Sequence, residues 1–236
     1  MPVSNALYLD DDCSIISAWT DSDSGTGVSS QITFDGRSCF KFDTGATPAG
    51  APDAQRVIDV GTFGDRVVIS LSLCFYALGT RFNGDYFRLQ ASHSSAVFHA
   101  RFGSDGLTIS DGLSHNIVGS YLVEQNTWQE WTFDIDFSVA TTANVDVYLN
   151  GVLQDNVDCS WTTSSTNGRV ELAQLGYVTA NRITYVDWIK IGDDLVYVSS
   201  IRSAPTIGGT AGGSRTEGTL PLREQDIGSL ETVRRE

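Results

Sequence analysis

Along much of the chain apolar and polar residues alternate with a period of two, and no long stretch sustains the 3.6-residue period of a helix. In Trp131–Phe137, the residues Trp131, Phe133, Ile135 and Phe137 share one side, while Thr132, Asp134 and Asp136 share the other. Val145, Val147 and Leu149 oppose Asp146 and Tyr148 in the same way. Phe87, Leu89 and Ala91 oppose Tyr86, Arg88 and Gln90, and Phe98, Ala100 and Phe102 oppose Val97, His99 and Arg101. Each such segment predicts a strand with one core face and one wet face. Further strands are predicted over Gln31–Phe34, Ser38–Phe42, Val67–Ala77, Leu107–Ser110, Arg169–Leu175, Ile183–Ile191 and Leu195–Val198. Turn dipeptides punctuate them: Asp35-Gly36, Asn83-Gly84, Asp105-Gly106, Asn150-Gly151 and Asn167-Gly168.

Strands at this density with almost no helix predict an all-β sandwich of two antiparallel sheets. Phe133, Ile135, Val147, Leu149 and Trp188 are expected to be mostly buried, with Trp131 beside them. The run Val67–Ala77 is nearly continuous in apolar character, and Cys74 within it reads as a small buried hydrophobe. The other cysteines, Cys13, Cys39 and Cys159, form no C-x-x-C pair, so zinc and thioredoxin chemistry are unsupported and free thiols are expected. The composition, 41% hydrophobic and 19% charged over 236 residues, is that of a globular protein with a full core. There is no run of 18 apolar residues to cross a membrane, and Met1–Asp12 lacks the features of a secretory signal.

Charge narrows the partners. Fifteen Lys and Arg against 29 Asp and Glu give a net charge of −14. Nucleic acid needs a basic patch and anionic membranes favour one, so neither is an expected partner. An anionic sugar polymer would be repelled as well, unless arginines gather locally. The segment from Arg202 to Glu236 holds five arginines and five acids and is neutral, so the residues before it carry the whole excess.

Three segments, NTWQEWTFDIDF, NVDVYLNGVLQ and TYVDWIKIGDDLV, together with the early ITFDGRSCFKFDTG, resemble the concanavalin A-like lectin/glucanase superfamily, which includes laminin-G-like modules. The resemblance spans roughly residues 7–198. It implies a two-sheet jelly roll over residues 1–201, and the composition of residues 202–236 predicts an extended arm after it. Glucanases of that superfamily carry paired carboxylates on one strand. The nearest match here is Glu130, Asp134 and Asp136, whose spacing departs from the pattern, so they read as solvent-facing carboxylates. The lectin-type metal cluster is not recognisable. Asp21 and Asp23 mimic the start of an EF-hand loop, but its twelfth position would be Ile32, so no metal or other cofactor is expected.

The lyase branch of the superfamily uses Arg, Gln, His and Tyr on its concave sheet, with Arg neutralising a uronate carboxylate and His or Tyr moving the proton. The matching residues here are Tyr86, Arg88, Gln90, His99 and Arg101, on the wet faces of two adjacent strands. They are candidates for glycan contact. The structural alternative is cross-strand pairing with Asp134, Asp136 and Asp146. Trp19, Trp128 and Trp161 lie near turns, where one could stack on a sugar ring and edge packing is the commoner role.

Beyond Val198 the strand pattern stops. The segment from Arg202 is rich in Gly, Ser and Thr, with Leu220, Leu222, Arg223, Ile227, Leu230 and Val233 as spaced anchors of an assembly arm. The expectation is a non-enzymatic subunit of a larger assembly, a decorating or fibre-associated protein of a bacteriophage virion. Such a protein would be made in the host cytoplasm, homo-oligomeric and in contact with other virion proteins, and a glycan is a further candidate partner. The alternative is a carbohydrate-binding module or a polysaccharide-processing enzyme of lyase or glucanase type.

Overall fold

The computed structural model describes residues 7–45, 53–61, 64–80, 84–93, 96–110, 117–119, 123–139, 142–160, 168–176 and 181–193. In chain order the strands are β1 (Leu7–Asp11), β2 (Thr20–Asp21), β3 (Val28–Phe34), β4 (Arg37–Asp43) and β5 (Asp53–Asp59). These are followed by β6 (Arg66–Ala77), β7 (Phe87–His93), β8 (Ala96–Gly103), β9 (Gly106–Ser110) and β10 (Ile117–Gly119). The last five are β11 (Trp128–Val139), β12 (Thr142–Leu149), β13 (Val152–Ser160), β14 (Arg169–Leu175) and β15 (Ile183–Gly192). Among the described residues the only helix is the single 3₁₀ turn Ile16–Ala18.

The strands form two sheets. One has eight strands in the order β13-β12-β11-β6-β15-β4-β3, with β1 also paired to β15, and the other has seven in the order β10-β9-β8-β7-β14-β5-β2. The registered strand pairs are antiparallel. Two hairpins are closed by Asp35-Gly36 and Asn150-Gly151, whose residues all have positive φ of 51–76°, the geometry that matches the twist of the flanking strands. The predicted strand over Leu195–Val198 and the anchors of the arm at Leu220, Leu222, Arg223, Ile227, Leu230 and Val233 lie outside the described residues.

One core fills the space between the sheets. Phe102 of the seven-stranded sheet meets Phe75 and Trp131 of the other at 5.3 Å between ring centroids and Phe133 at 6.2 Å. Phe87 meets Phe42 at 5.7 Å and Phe75 at 6.3 Å. Polar links also cross the gap. Thr184 Oγ1 donates to Gln174 Oε1 at 2.6 Å, and Arg56 Nε donates to Ser29 Oγ at 2.6 Å, all four side chains being buried. A buried polar group must be bonded to be tolerated, so these pairs hold the sheets in one relative setting.

The expected register holds at Phe133, Ile135 and Val147, which are fully buried, with Leu149 partly buried against the same core. Two readings need correction. Trp19 is a core residue rather than a surface ring: it is 2% exposed, packs edge-on against Phe40 and donates its indole N–H to Asp11 Oδ2 at 2.6 Å. Asp134 is not solvent-facing. Arg66 clamps it in a bidentate ion pair and leaves it 7% exposed, while Asp136 on the same face stays exposed. Trp188 is buried as expected, and a bulge between Val186 and Trp188 shifts the alternation. It pairs with Ser72 and stands with Lys190 on the outer face, while Ile189 and Ile191 enter the core.

Cys13, Cys39 and Cys74 are free and buried. Burial pushes the Cys39 and Cys74 thiols from 9.0 to about 11. A raised folded-state pKa means that their contribution to stability is intact below pH 9.0 and is lost as pH rises towards about 11, because only the unfolded chain ionises freely. Denaturation midpoints measured across that window should therefore fall with pH, and the fall should be shallower in a Cys39→Ala/Cys74→Ala double variant.

Candidate functional site

The side chains that the core rejects from the seven-stranded sheet converge on its outer face. Because Phe87, Leu89, Phe98, Ala100 and Phe102 point inward, Arg88, Gln90, His99 and Arg101 must point outward. Antiparallel pairing then aligns them in rows across the strands. One row runs Val57–Glu171–Gln90–His99, and the next runs Gln55–Ala173–Arg88–Arg101–Thr108. Tyr86, just before β7, extends the same face. All five residues singled out from the sequence are thus brought together.

Their bonding differs from the expected alternative. Asp134, Asp136 and Asp146 belong to the eight-stranded sheet, so they are not the cross-strand partners of these cations. The counter-charge is Glu171 on β14, which is 4% exposed. Arg88 Nη2 donates to Glu171 Oε1, and Arg169 Nη2 donates to Oε2 at 3.4 Å. Asp53 lies close enough to feel both charges: burial raises its carboxyl above the usual range, Arg88 pulls it down and Glu171 pushes it up. Sequence reasoning missed Glu171, Arg169 and Asp53. The ELAQL alternation around Glu171 was visible, but which strand neighbours β7 is a matter of topology.

Gln90 and His99 face each other across β7 and β8. Arg101 Nη2 lies 3.5 Å from His99 Nδ1, and a guanidinium can only donate, so Nδ1 is the accepting nitrogen. The imidazole proton is then on Nε2, which donates to Gln90 Oε1 at 2.9 Å. Both ring nitrogens are engaged, and the residue is 9% exposed. The Arg101 guanidinium lies 5.4 Å from the Tyr86 ring centroid, in cation–π range. Among the described residues no carboxylate reaches ion-pair distance of Arg101. The Nε atoms of Arg88, Arg101 and Arg169 are buried without a hydrogen-bond acceptor among the described residues. The face thus places the Arg101 guanidinium beside an aromatic ring, an imidazole and an amide.

No protein-family model matches the chain, and no curated protein sequence matches it. Solved structures do. The endo-β-1,4-glucuronan lyase of the fungus Trichoderma reesei superposes with a TM-score of 0.61 at 14% identity, covering 82% of this chain and 98% of that one. A carbohydrate esterase of the Shiga toxin-encoding bacteriophage phi24B gives 0.57 at 11% identity, covering 81% and 100%. The fold is the concanavalin A-like jelly roll. The receptor-binding domain of botulinum neurotoxin D shares it too, with a TM-score of 0.51 at 9% identity over 75% of this chain and 44% of that one. Enzymes and binding domains thus use this jelly roll, so function must be argued from the side chains on its faces.

Glu171 bridges two guanidiniums at once, so its loss strands both. Glu171→Gln should lower unfolding free energy by about 2–3 kcal/mol, less than for a fully buried pair because Arg88 and Arg169 keep partial solvent access. Thermal and denaturant unfolding of the variant would check this, and an unchanged stability would show that Glu171 does not hold the face together.

Proposed function

We propose that the protein is a glycan-binding protein without catalytic activity, which holds an acidic sugar on the outer face of the seven-stranded sheet. The observation that carries this reading is Arg101. On a chain of net charge −14, it is a guanidinium with no carboxylate partner among the described residues, laid over Tyr86 and flanked by His99 and Gln90. A carboxylate-bearing sugar supplies the missing counter-charge through a charge-assisted hydrogen bond, while its ring rests against Tyr86. Arg88 and Arg169 are both hydrogen-bonded by Glu171 and shape the floor rather than the contact. A binding role is favoured over a lyase role by His99, whose two nitrogens are both engaged where a general base needs a free lone pair.

Calorimetric titration with tetraglucuronate tests this. Wild type should bind, affinity should fall as salt is raised, and Arg101→Ala should lose about tenfold or more. Equal affinity in Arg101→Ala, or no binding by wild type, would contradict the reading. Release of an unsaturated product that vanishes in His99→Ala would replace it with a lyase.

The setting we infer for this activity is the surface of a bacteriophage virion, with the protein as a decorating, homo-oligomeric subunit. The support is compositional: residues 202–236 are rich in Gly, Ser and Thr, carry no net charge and space out Leu220, Leu222, Ile227, Leu230 and Val233. A truncation ending at Ser203 should melt like the full chain yet fail to incorporate into particles or oligomers. Normal incorporation would remove the arm from the account.

A further inference from the structure

The opposite outer face, that of the eight-stranded sheet, carries an aromatic cluster of its own. Phe34 stacks on Tyr185 with ring centroids 3.9 Å apart and planes at 10°. Tyr76 meets Tyr185 edge-on at 6.4 Å, and Trp128 leans on Phe34 at 6.3 Å. Beside the cluster lies a pocket of about 290 Å³, lined by Phe34, Asp35, Cys74, Tyr76, Asn126 and Trp128. Its rim is fixed by backbone geometry. Asp35 occupies the β3–β4 turn, and Asn126 is held in a left-handed conformation by its N–H bond to Phe75 O at 2.8 Å.

We propose that this pocket binds one neutral pyranose ring of a glycan, at a site separate from the acidic-sugar face. Three features select that class. Tyr76 is 51% exposed on a strand otherwise buried along nearly its whole length, so a large ring is presented to solvent at a fixed position. The C–H face of a pyranose packs on such a ring. The polar groups at the rim have capacity to spare. Trp128 Nε1 donates to Asp35 Oδ2 at 3.2 Å, which leaves Asp35 Oδ1, the Asn126 amide and the Tyr76 hydroxyl without a partner among the described residues. A carboxylate only accepts, an amide both donates and accepts, and a sugar's vicinal hydroxyls satisfy both. Charge excludes the acidic class. Arg37 sits 4.8 Å over the Trp128 ring and is already paired with Asp187 at 2.8 Å, whereas the Asp35 carboxylate repels anions. The volume lies at the lower limit of small-molecule sites, roughly 300–1,000 Å³, which suits one ring rather than an extended chain.

The test uses the full chain and a set of neutral tetrasaccharides: cello-, laminari-, manno- and xylotetraose. Binding is read by tryptophan emission, since Trp128 lines the pocket, and by calorimetry. At least one should bind wild type and change the emission, Tyr76→Ala should weaken it by about tenfold, and Asp35→Asn should weaken it as well. Arg101→Ala should leave it unchanged, which separates this site from the acidic-sugar face and lets either fail alone. Tyr76 is a surface residue, and a melting curve of the variant controls for folding. If none of the four binds, or if Tyr76→Ala binds as wild type does, the proposal is overturned.

Discussion

The aromatic contact between the sheets is the constraint from which the rest follows. Phe102 touches Phe75, Trp131 and Phe133 across the gap, and Phe87 touches Phe42 and Phe75. A shift of either strand by one residue would exchange every buried ring for a charged or polar side chain, a change that no local rearrangement could absorb. The packing of Phe87 and Phe102 therefore sets the direction of Arg88 and Arg101. The chemistry of the outer face is the complement of the core, written on alternate residues of the same strands.

Electrostatics decides which of those outward residues is available. An isolated guanidinium held against a sheet is costly to desolvate, and Glu171 offsets that cost for Arg88 and Arg169 together. Arg101 receives no such partner among the described residues and relies on the Tyr86 ring and on His99. This asymmetry separates a structural pair from a candidate contact. It also answers the expectation that an acidic protein repels anionic sugars: net charge acts at long range and is screened, while binding is governed by the groups within a few ångströms. The eight-stranded sheet shows the opposite balance, with Arg37 and Arg66 matched by Asp187 and Asp134 and an aromatic pocket left open.

Much of this was legible in the sequence, because strand alternation is a local signal. The pairs Phe87/Arg88 and Phe102/Arg101 announce both faces of β7 and β8 without any knowledge of their neighbours. What was not legible depends on pairing between distant segments. Arg88 was read as a partner of Asp134, Asp136 or Asp146, since nothing local says that β14 rather than β11 lies beside β7. β5 escaped notice because Arg56 occupies a core-side position, where its charge is satisfied by Ser29 and Asp21. Trp19 looked like a loop residue because its burial is created by Phe40 and Asp11. Trp188 is buried as its strand pattern indicates, but the bulge between Val186 and Trp188 was not legible, because no residue type there marks it.

The outward-facing rows of β14, β7 and β8 are the centre of the account, and backbone amide resonances followed during titration with tetraglucuronate test them most directly. The account predicts shifts concentrated at Tyr86–Gln90, His99–Arg101 and Glu171–Ala173, with β6 and β11 unaffected. Shifts confined to the eight-stranded sheet, or their absence at saturating ligand, would contradict it.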